Sequence, residues 1–380
     1  MKFDESLLYN IKSDREGTRH SLFDLAIWKN GLAFKKINFS KNGRPIIKIA
    51  ELNNGISLNT SFTQGDYGEE VFIRWDDLLF SWSGNPQTSI DVFRYRLQEG
   101  WLNQHIFKVT ANKELVTKDY LYYVLKLLKP HFTQIATNKQ TTGLGHVTIA
   151  DLKRMSLVVP PKEVQNQIVS ILKAIDDKIE VSTNINDNLQ QQAQVIYASM
   201  FVTNANPDWQ QGHLSDLITV KYGKDHKKLA DGTYPVYGSG GIMRYVERPL
   251  YDRESVLIPR KGTLNNVMYV DHPFWSVDTM FYTEMRLPNV AKYVYHLVKA
   301  KDLASMNAGS AVPSMTTDIL NAMEVTIPSA SVLEEFERTV APMYSAIQEN
   351  KKQSKKLAEL RDTLLPKLIS GKIDVSNIQL

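Results

Sequence analysis

The sequence predicts an α+β protein: two pseudo-symmetric α/β domains joined by an antiparallel pair of long coiled-coil helices. Three observations carry this prediction. A stretch near the middle of the chain recurs near its end, each copy opens a long heptad-patterned segment, and the globular stretches before the two copies follow one plan.

The first copy reads Leu152-Lys-Arg-Met155-Ser-Leu157-Val-Val159-Pro160-Pro161, the second Leu320-Asn-Ala-Met323-Glu-Val325-Thr-Ile327-Pro328. A shift of 168 residues (320 − 152) superimposes them without a gap, and self-similarity of that length implies a duplicated half. After the first copy, Ile168, Leu172, Ile175, Ile179, Ser182, Asn186, Leu189, Ala193, Ile196 and Met200 alternate spacings of four and three. The same shift gives Phe336, Val340, Met343, Ile347, Asn350, Ser354, Leu357, Arg361, Leu364 and Leu368. That is the seam of paired helices, each of roughly forty residues and about 60 Å long at 1.5 Å per residue. The segments expected are a first globular half over 1–160, a central helix over 161–203, a second half over 204–328 and a C-terminal helix over 329–373.

Chain order sets the direction of pairing. The first helix delivers the chain to the second half, and the second can pair with it only by running back. That register places Ser182 near Ser354 and Asn186 near Asn350. Two readings of these polar positions stand: a buried polar pair that fixes register at a cost in stability, or a solvated gap in a loose coil. Arg361 also interrupts the seam.

Composition narrows the class. At 380 residues the chain can build two cores besides the helices. It has no cysteine, which removes disulfides and thiolate metal sites. The opening Met1-Lys-Phe-Asp-Glu carries no apolar signal core, and no stretch has the apolar length of a membrane span, so a cytoplasmic location is expected. Net charge is only +4. Residues 1–160 hold 21 Lys+Arg against 16 Asp+Glu, and residues 202–330 hold 13 of each. Nucleic-acid binding would need cations clustered on one face, or a more basic partner.

Taken in order, residues 1–20 are polar with an apolar patch at Leu7, Leu8 and Tyr9; covering the end of the helix pair is one role open to them, which the sequence does not settle. Ser21-Leu22-Phe-Asp24-Leu25 starts the first half and is echoed by His213-Leu214-Ser-Asp216-Leu217. Pro45-Ile-Ile-Lys-Ile, Val71-Phe-Ile-Arg-Trp, Leu78-Leu-Phe-Ser-Trp and Gln104-His-Ile-Phe-Lys-Val read as strands between turns. Tyr120 to Leu128 reads as a short amphipathic helix stopping before Pro130. In the second half Tyr234-Pro-Val-Tyr, Ser255-Val-Leu-Ile-Pro and Phe281-Tyr-Thr-Glu-Met read as strands, and Lys292-Tyr-Val-Tyr-His-Leu-Val is the counterpart helix. The halves share layout but almost none of their loops.

Catalytic motifs do not assemble. Asn85-Pro86-Gln87 begins like the Asn-Pro-Pro-aromatic motif of amino methyltransferases but lacks the second proline and the stacking ring, so it reads as a turn. Gly238-Ser-Gly-Gly241 lacks the strand-to-helix setting of a phosphate loop and reads as a hairpin or a DNA-facing loop. Arg260-Lys-Gly-Thr263 has the wrong order for a Walker sequence. The eight histidines are scattered without metal-ligand spacing. The chain does not look like an enzyme by itself.

What remains are polar and basic loops. In the first half the candidates are Lys35, Lys36, Lys41, Arg44, Arg94, Arg96, Lys139, Gln140, Thr141 and Thr142. In the second they are Lys224, Lys227, Lys228, Tyr237, Ser239, Arg244, Arg260, Lys261, Asn265, Asn307 and Ser310. Arg and Lys suit guanine, Asn and Gln suit adenine, and glycine-loop amides suit phosphate; any one loop could equally be a solvated turn. Asn138–Gly143 and Asn307–Ser310 stand out because they occupy matching places before the repeated Leu-x-x-Met.

Together these features resemble the specificity (S) subunit of bacterial type I restriction-modification systems over essentially the whole chain. The likeness rests on the paired domain starts, Trp101-Leu-Asn103-Gln104-His105, the exits from Thr142-Gly143 to Pro161 and from Gly309 to Pro328, the helix start Glu163-Val-Gln165-Asn-Gln167-Ile168, and the ending Leu364-Leu-Pro-Lys-Leu-Ile-Ser-Gly-Lys-Ile373. The second helix departs from the Glu-Gln start, reading Leu333-Glu-Glu-Phe. The resemblance implies two target-recognition domains with curled sheets, each reading half of a split duplex DNA site, and a helix pair that sets the gap and docks partners. Those partners would be two modification (methyltransferase) subunits carrying S-adenosylmethionine, and restriction/translocase subunits using ATP and Mg, in a bacterial or archaeal cytoplasm. This chain would bind no cofactor itself. Two other readings remain open: the recognition subunit of a related modification system, and a coiled-coil scaffold with two domains that do not bind DNA.

Overall fold

In both halves the repeated domain start and the repeated exit meet. The Leu22 amide donates to the Met155 carbonyl and the Leu214 amide to the Met323 carbonyl, each at 2.8 Å, with all four side chains buried. Beside each junction an antiparallel two-stranded ribbon forms, Thr18–Ser21 with Ser156–Val159 and Gln210–His213 with Glu324–Ile327. The computed structural model describes residues 13–306 and 314–375; Leu7, Leu8, Tyr9, Asn307 and Ser310 lie outside the described residues. Two compact units result: Met1–Glu180 with Ser354–Leu380, and Val181–Gln353.

The first unit holds an antiparallel sheet in the order Ala26–Asn30, Ile106–Ala111, Leu78–Ser81, Asp91–Arg94. A second sheet follows the order Phe62–Thr63, Arg44–Ile47, Gly100–Leu102, Phe72–Ile73, with Arg44–Ile47 parallel to Gly100–Leu102. The second unit repeats the plan. Ile218–Tyr222, Met280–Met285, Ser255–Pro259 and Met268–Val270 form the antiparallel sheet, in corresponding order. Gly241–Val246, Asp231–Gly238 and Trp275–Ser276 form the other sheet, again with one parallel pair. The duplication visible at the helix entrances therefore extends through the strand order.

Each unit also packs a domain helix on its core. In the first it spans Lys118–Asn138, twenty-one residues, with Pro130 inside. The expectation that it stops before Pro130 is corrected here. An interior proline costs about 3 kcal/mol. Beyond it, however, Phe132, Ile135 and Ala136 are all buried, and burying one large apolar side chain returns about 1.5–3 kcal/mol. Pro130 itself faces solvent. The counterpart helix, Ala291–Lys299, is shorter.

The first long helix spans Lys162–Ala198 and runs into a π-helical turn at Ser199–Thr203; the second spans Ala330–Ser370. Along the seam Ile168, Leu172, Phe336, Val340, Ile347 and Leu368 are buried. Ile175, Ile179, Leu189, Ile196, Met343, Leu357 and Leu364 are half-buried, and none is exposed. The helices run antiparallel, since Asp176 meets Arg361 in the first unit and Asn186 meets Asn350 in the second. The Asn350 side-chain amide donates to Asn186 Oδ1 at 2.9 Å, and Asn186 is buried. Arg361, the break in the apolar seam, donates to Asp176 at 2.8 Å. Asp176 also accepts the Tyr123 hydroxyl of the domain helix at 2.8 Å.

The second unit makes the matching contact with different chemistry. Tyr123 corresponds to His296, and Asp176 corresponds by the 168-residue shift to Tyr344 (176 + 168). There His296 Nε2 accepts the Tyr344 hydroxyl at 2.9 Å, and its Nδ1–H donates to Gln194 Oε1 at 2.7 Å. Gln165 and Leu333 form a second unlike pair at matching places (165 + 168). Gln165 is fully buried, accepting from the Thr117 amide and donating to the Leu115 and Pro160 carbonyls, each at 2.9 Å. Leu333 is simply apolar core. In the first unit Asp14 and Arg15 bond at the end of the second long helix and just beyond it: the Asp14 amide donates to the Ser370 carbonyl, and Arg15 donates to the carbonyls of Leu368 and Ile373.

Candidate nucleic-acid interface

The loops at one edge of each unit are tied together by close backbone approaches. In the second unit the chain leaving Ile218–Tyr222 passes so near the 276–277 loop that a Cβ on Gly223 would fall 2.0 Å from the Val277 carbonyl. Gly31 holds the corresponding place in the first unit, where a Cβ would fall 2.2 Å from the Asn103 carbonyl. A glycine is needed at both, and each brings its loop onto the one preceding a core strand.

In the second unit four loops converge. The Lys224 amide donates to the Ser276 carbonyl at 2.8 Å. Arg260 lies over the Tyr222 ring at 5.4 Å and donates to the Asp278 carbonyl at 3.2 Å. The Asn266 side chain donates to the Ser239 carbonyl at 2.7 Å, which fixes the hairpin tip Ser239-Gly240 to the 260–266 loop. Lys224, Lys227, Lys228 and Lys261 are exposed, and Ser239 and Arg260 are half-exposed. Asn265 is structural, bonded to Asp302 and to the Ala304 amide, each at 3.0 Å. Lys261 pairs with Ser314, on one flank of the undescribed 307–313 stretch.

The first unit assembles its edge from other residues. The Trp82 indole donates to Asn30 at 2.9 Å, and the Trp82 amide donates to the His105 carbonyl at 3.2 Å. Gly84 pairs with Gly145, which brings the Asn85-Pro86-Gln87 turn beside the 140–146 loop. There Thr141 and Leu144 exchange two 3.0 Å backbone hydrogen bonds across Thr142 and Gly143, at φ +49° and +86°. Positive φ at both central residues is the type I′ turn, unusual for a β-branched threonine. Asn30, Asn85, Gln87, His105, Gln140, Thr141 and Thr142 are exposed here.

Several residues expected at the DNA are committed elsewhere. Tyr237 is buried against Phe274. Arg244 is held by Asp231 at 2.8 Å and by the Leu229 carbonyl. Lys139 closes on the buried Asp151 at 2.6 Å. Burial pushes the Asp151 carboxyl up, but hydrogen bonds from Lys139 and Thr148 outweigh it and hold it below the usual carboxylate range. Arg94 pairs with Asp119 at 2.8 Å and stacks on Tyr122, and Arg96 pairs with Asp76 at 2.9 Å. Both arginines are at the far end of the sheet from Trp82, because Arg94 pairs with Leu78 while Asp91 pairs with Ser81. Lys35, Lys36 and Lys41 are exposed on the connection before Arg44–Ile47, and Arg44 lies over Phe72 at 4.9 Å. Asn30, Trp82, Gln87, His105 and Tyr222 were missed by counting cations. Trp101–His105 and Asn85–Gln87 did stand out in the sequence, though not as parts of one edge.

Two units of one design, each presenting a different set of side chains on the same edge, define a protein of paired recognition modules. Comparisons with known proteins assign the class. The model of the type I restriction modification DNA specificity domain matches residues 19–191 and 206–358. The HindI specificity subunit of Haemophilus influenzae is 22% identical over 378 residues, covering 70% of this chain and 79% of that protein. The MjaIX specificity subunit of Methanocaldococcus jannaschii is 23% identical over 318 residues, covering 72% and 73%. The type I S subunit from M. genitalium shares the fold, with a TM-score of 0.55 at 19% identity over 94% of this chain and 96% of that one. The chain belongs to the type I restriction-modification DNA specificity family, whose members supply recognition rather than catalysis. Among the described residues no helix is long and apolar enough to cross a membrane.

Proposed function

We propose that each unit reads one half of an asymmetric, bipartite duplex DNA site, and that the long helices set the unread gap and dock two modification (methyltransferase) subunits. One observation carries the reading: both units order their four-stranded antiparallel sheet the same way, with unlike residues on the corresponding loop edge. Equivalent frameworks suit equivalent approaches to DNA, and unlike loops make the half-sites different. Recognition helices and ribbons reach successive major-groove faces about 34 Å apart, so helix length becomes gap length. In this reading S-adenosylmethionine, ATP and Mg belong to the modification and restriction/translocase subunits, and this chain supplies the address.

Selection from a random duplex pool, with the chain co-purified with its methyltransferase partner, tests this. The expected result is two unlike short motifs at one fixed separation. A single motif, or two motifs at variable separation, would overturn the reading.

A further inference from the structure

The ribbon formed by Asp231–Gly238 and Gly241–Val246 carries an unusual surface for its position. Gly241–Val246 is the edge strand of its sheet, and edge strands are ordinarily blunted by charge. Here Ile242 and Met243 stand out from it, 50% and 61% exposed. Its charged pair, Asp231 and Arg244, neutralises itself. The cations lie on the loops around it: Arg260 and Lys261 follow from the loop that Asn266 ties to the ribbon tip, and Lys224 from the loop under Ser276. An apolar, neutral tip flanked by cations separates base contact from phosphate contact, the division of labour seen in sequence-reading proteins.

We infer that this ribbon enters the major groove and that Met243, with Ile242, reads thymine through its 5-methyl group. The inference rests on the half-site reading above and deepens it. The major groove admits a two-stranded ribbon, and the thymine methyl is the one apolar group a base edge offers there. Met243 suits the contact because its side chain already packs over Gly238: a Cβ there would fall 2.5 Å from the Met243 sulfur. That contact sets the sulfur against the ribbon's own backbone. The first unit has nothing equivalent, since the corresponding connection contains the short helix Ile49–Asn54 in place of a two-residue tip. This ribbon's thymine contact therefore belongs to the second unit's half-site.

The test uses the full chain in complex with its methyltransferase partner, on duplexes carrying the selected site. Each thymine is replaced in turn by deoxyuridine, which lacks only the methyl. One or two replacements in the second unit's half-site should weaken binding about 3- to 5-fold each, the worth of one buried methyl-sized group. Ile242→Ser with Met243→Ser should weaken binding to the thymine duplex and leave it indifferent to deoxyuridine, whereas Met243→Leu should stay sensitive. Indifference of the wild-type complex to deoxyuridine at every position, with both half-sites still selected, overturns the methyl contact and leaves the two-reader model standing. So does a serine variant that remains sensitive. Failure to select any second half-site overturns both.

Discussion

Acid should destabilise the second unit through one side chain. His296 is 2% exposed and held between Gln194 and Tyr344, with the Tyr197 ring stacked on it at 5.3 Å. Burial first, and then the Lys299 ammonium one turn along, push its pKa down to about 4. An unfolded histidine titrates near 6.5, so the unfolded chain takes up the proton more readily. The stability that neutral His296 contributes is complete above pH 6.5 and is lost as pH falls from there to about 4. At about 1.4 kcal/mol for each pH unit separating the folded and unfolded pKa, linkage gives a loss of about 2 kcal/mol by pH 5 and about 3 kcal/mol in all. Protonation would also put a second donor against the Tyr344 hydroxyl, which now donates to Nε2. Hydrogen exchange of the Tyr293–Val298 amides, inside the domain helix, reports opening of this unit. Between pH 7.5 and pH 5, wild type should lose about 2 kcal/mol more opening free energy than His296→Gln, which cannot titrate. Equal losses in both proteins would refute the assignment, whatever other carboxylates contribute, because they contribute to both.

Two further outcomes follow from the first unit. Gln165→Leu installs the side chain that the second unit uses at the matching place, but strands the Thr117 amide and the Leu115 and Pro160 carbonyls. At about 1–3 kcal/mol per unsatisfied buried group, denaturant unfolding should show a loss of at least about 2 kcal/mol; a neutral result would mean that Gln165 does not hold these three backbone groups. Thr142→Gly relieves a left-handed backbone that costs a β-branched residue about 1–2 kcal/mol, less about 0.5–1 kcal/mol for glycine's own entropy. The first unit should melt slightly higher, by up to about 2–4 °C, while its half-site preference relaxes; a lower melting point would contradict the turn assignment.

Much of the architecture was legible because its signals are periodic or repeated. The seam from Ile168 to Leu368, the echo of Leu22 in Leu214, and the echo of Met155 in Met323 need only one chain and a ruler. The domain helix was misjudged at Pro130 because burial of Phe132 and Ile135 depends on a sheet that periodicity does not reveal. The interface was harder still. A lysine in a loop looks the same whether or not a carboxylate lies across from it, and only folding shows that Lys139 is closed on Asp151 and Arg94 on Asp119. Asn30 and Trp82, fifty-two residues apart, share an edge that no local pattern announces. Tyr237 illustrates the reverse error: a polar, glycine-flanked aromatic whose ring the second unit's core absorbs.

The unlike pairs seating each domain helix on the long helices, Tyr123 on Asp176 and His296 on Tyr344, bear on how such a protein can diversify. A domain moved alone into the other half would set Tyr123 against a tyrosine, or His296 against a carboxylate. Either move changes the partner on offer, a phenol in place of a carboxylate or the reverse, and so alters how the domain helix is seated. Domain and helix segment keep their native seating only when they are inherited together. The edge loops carry no such obligation: among the described residues, no hydrogen bond ties Gln140, Thr141, Ile242 or Met243 to the long helices. If the loops read DNA as proposed, new specificities can arise by rewriting them within each half, while wholesale exchange keeps the native seating only from donors that bring the same pair.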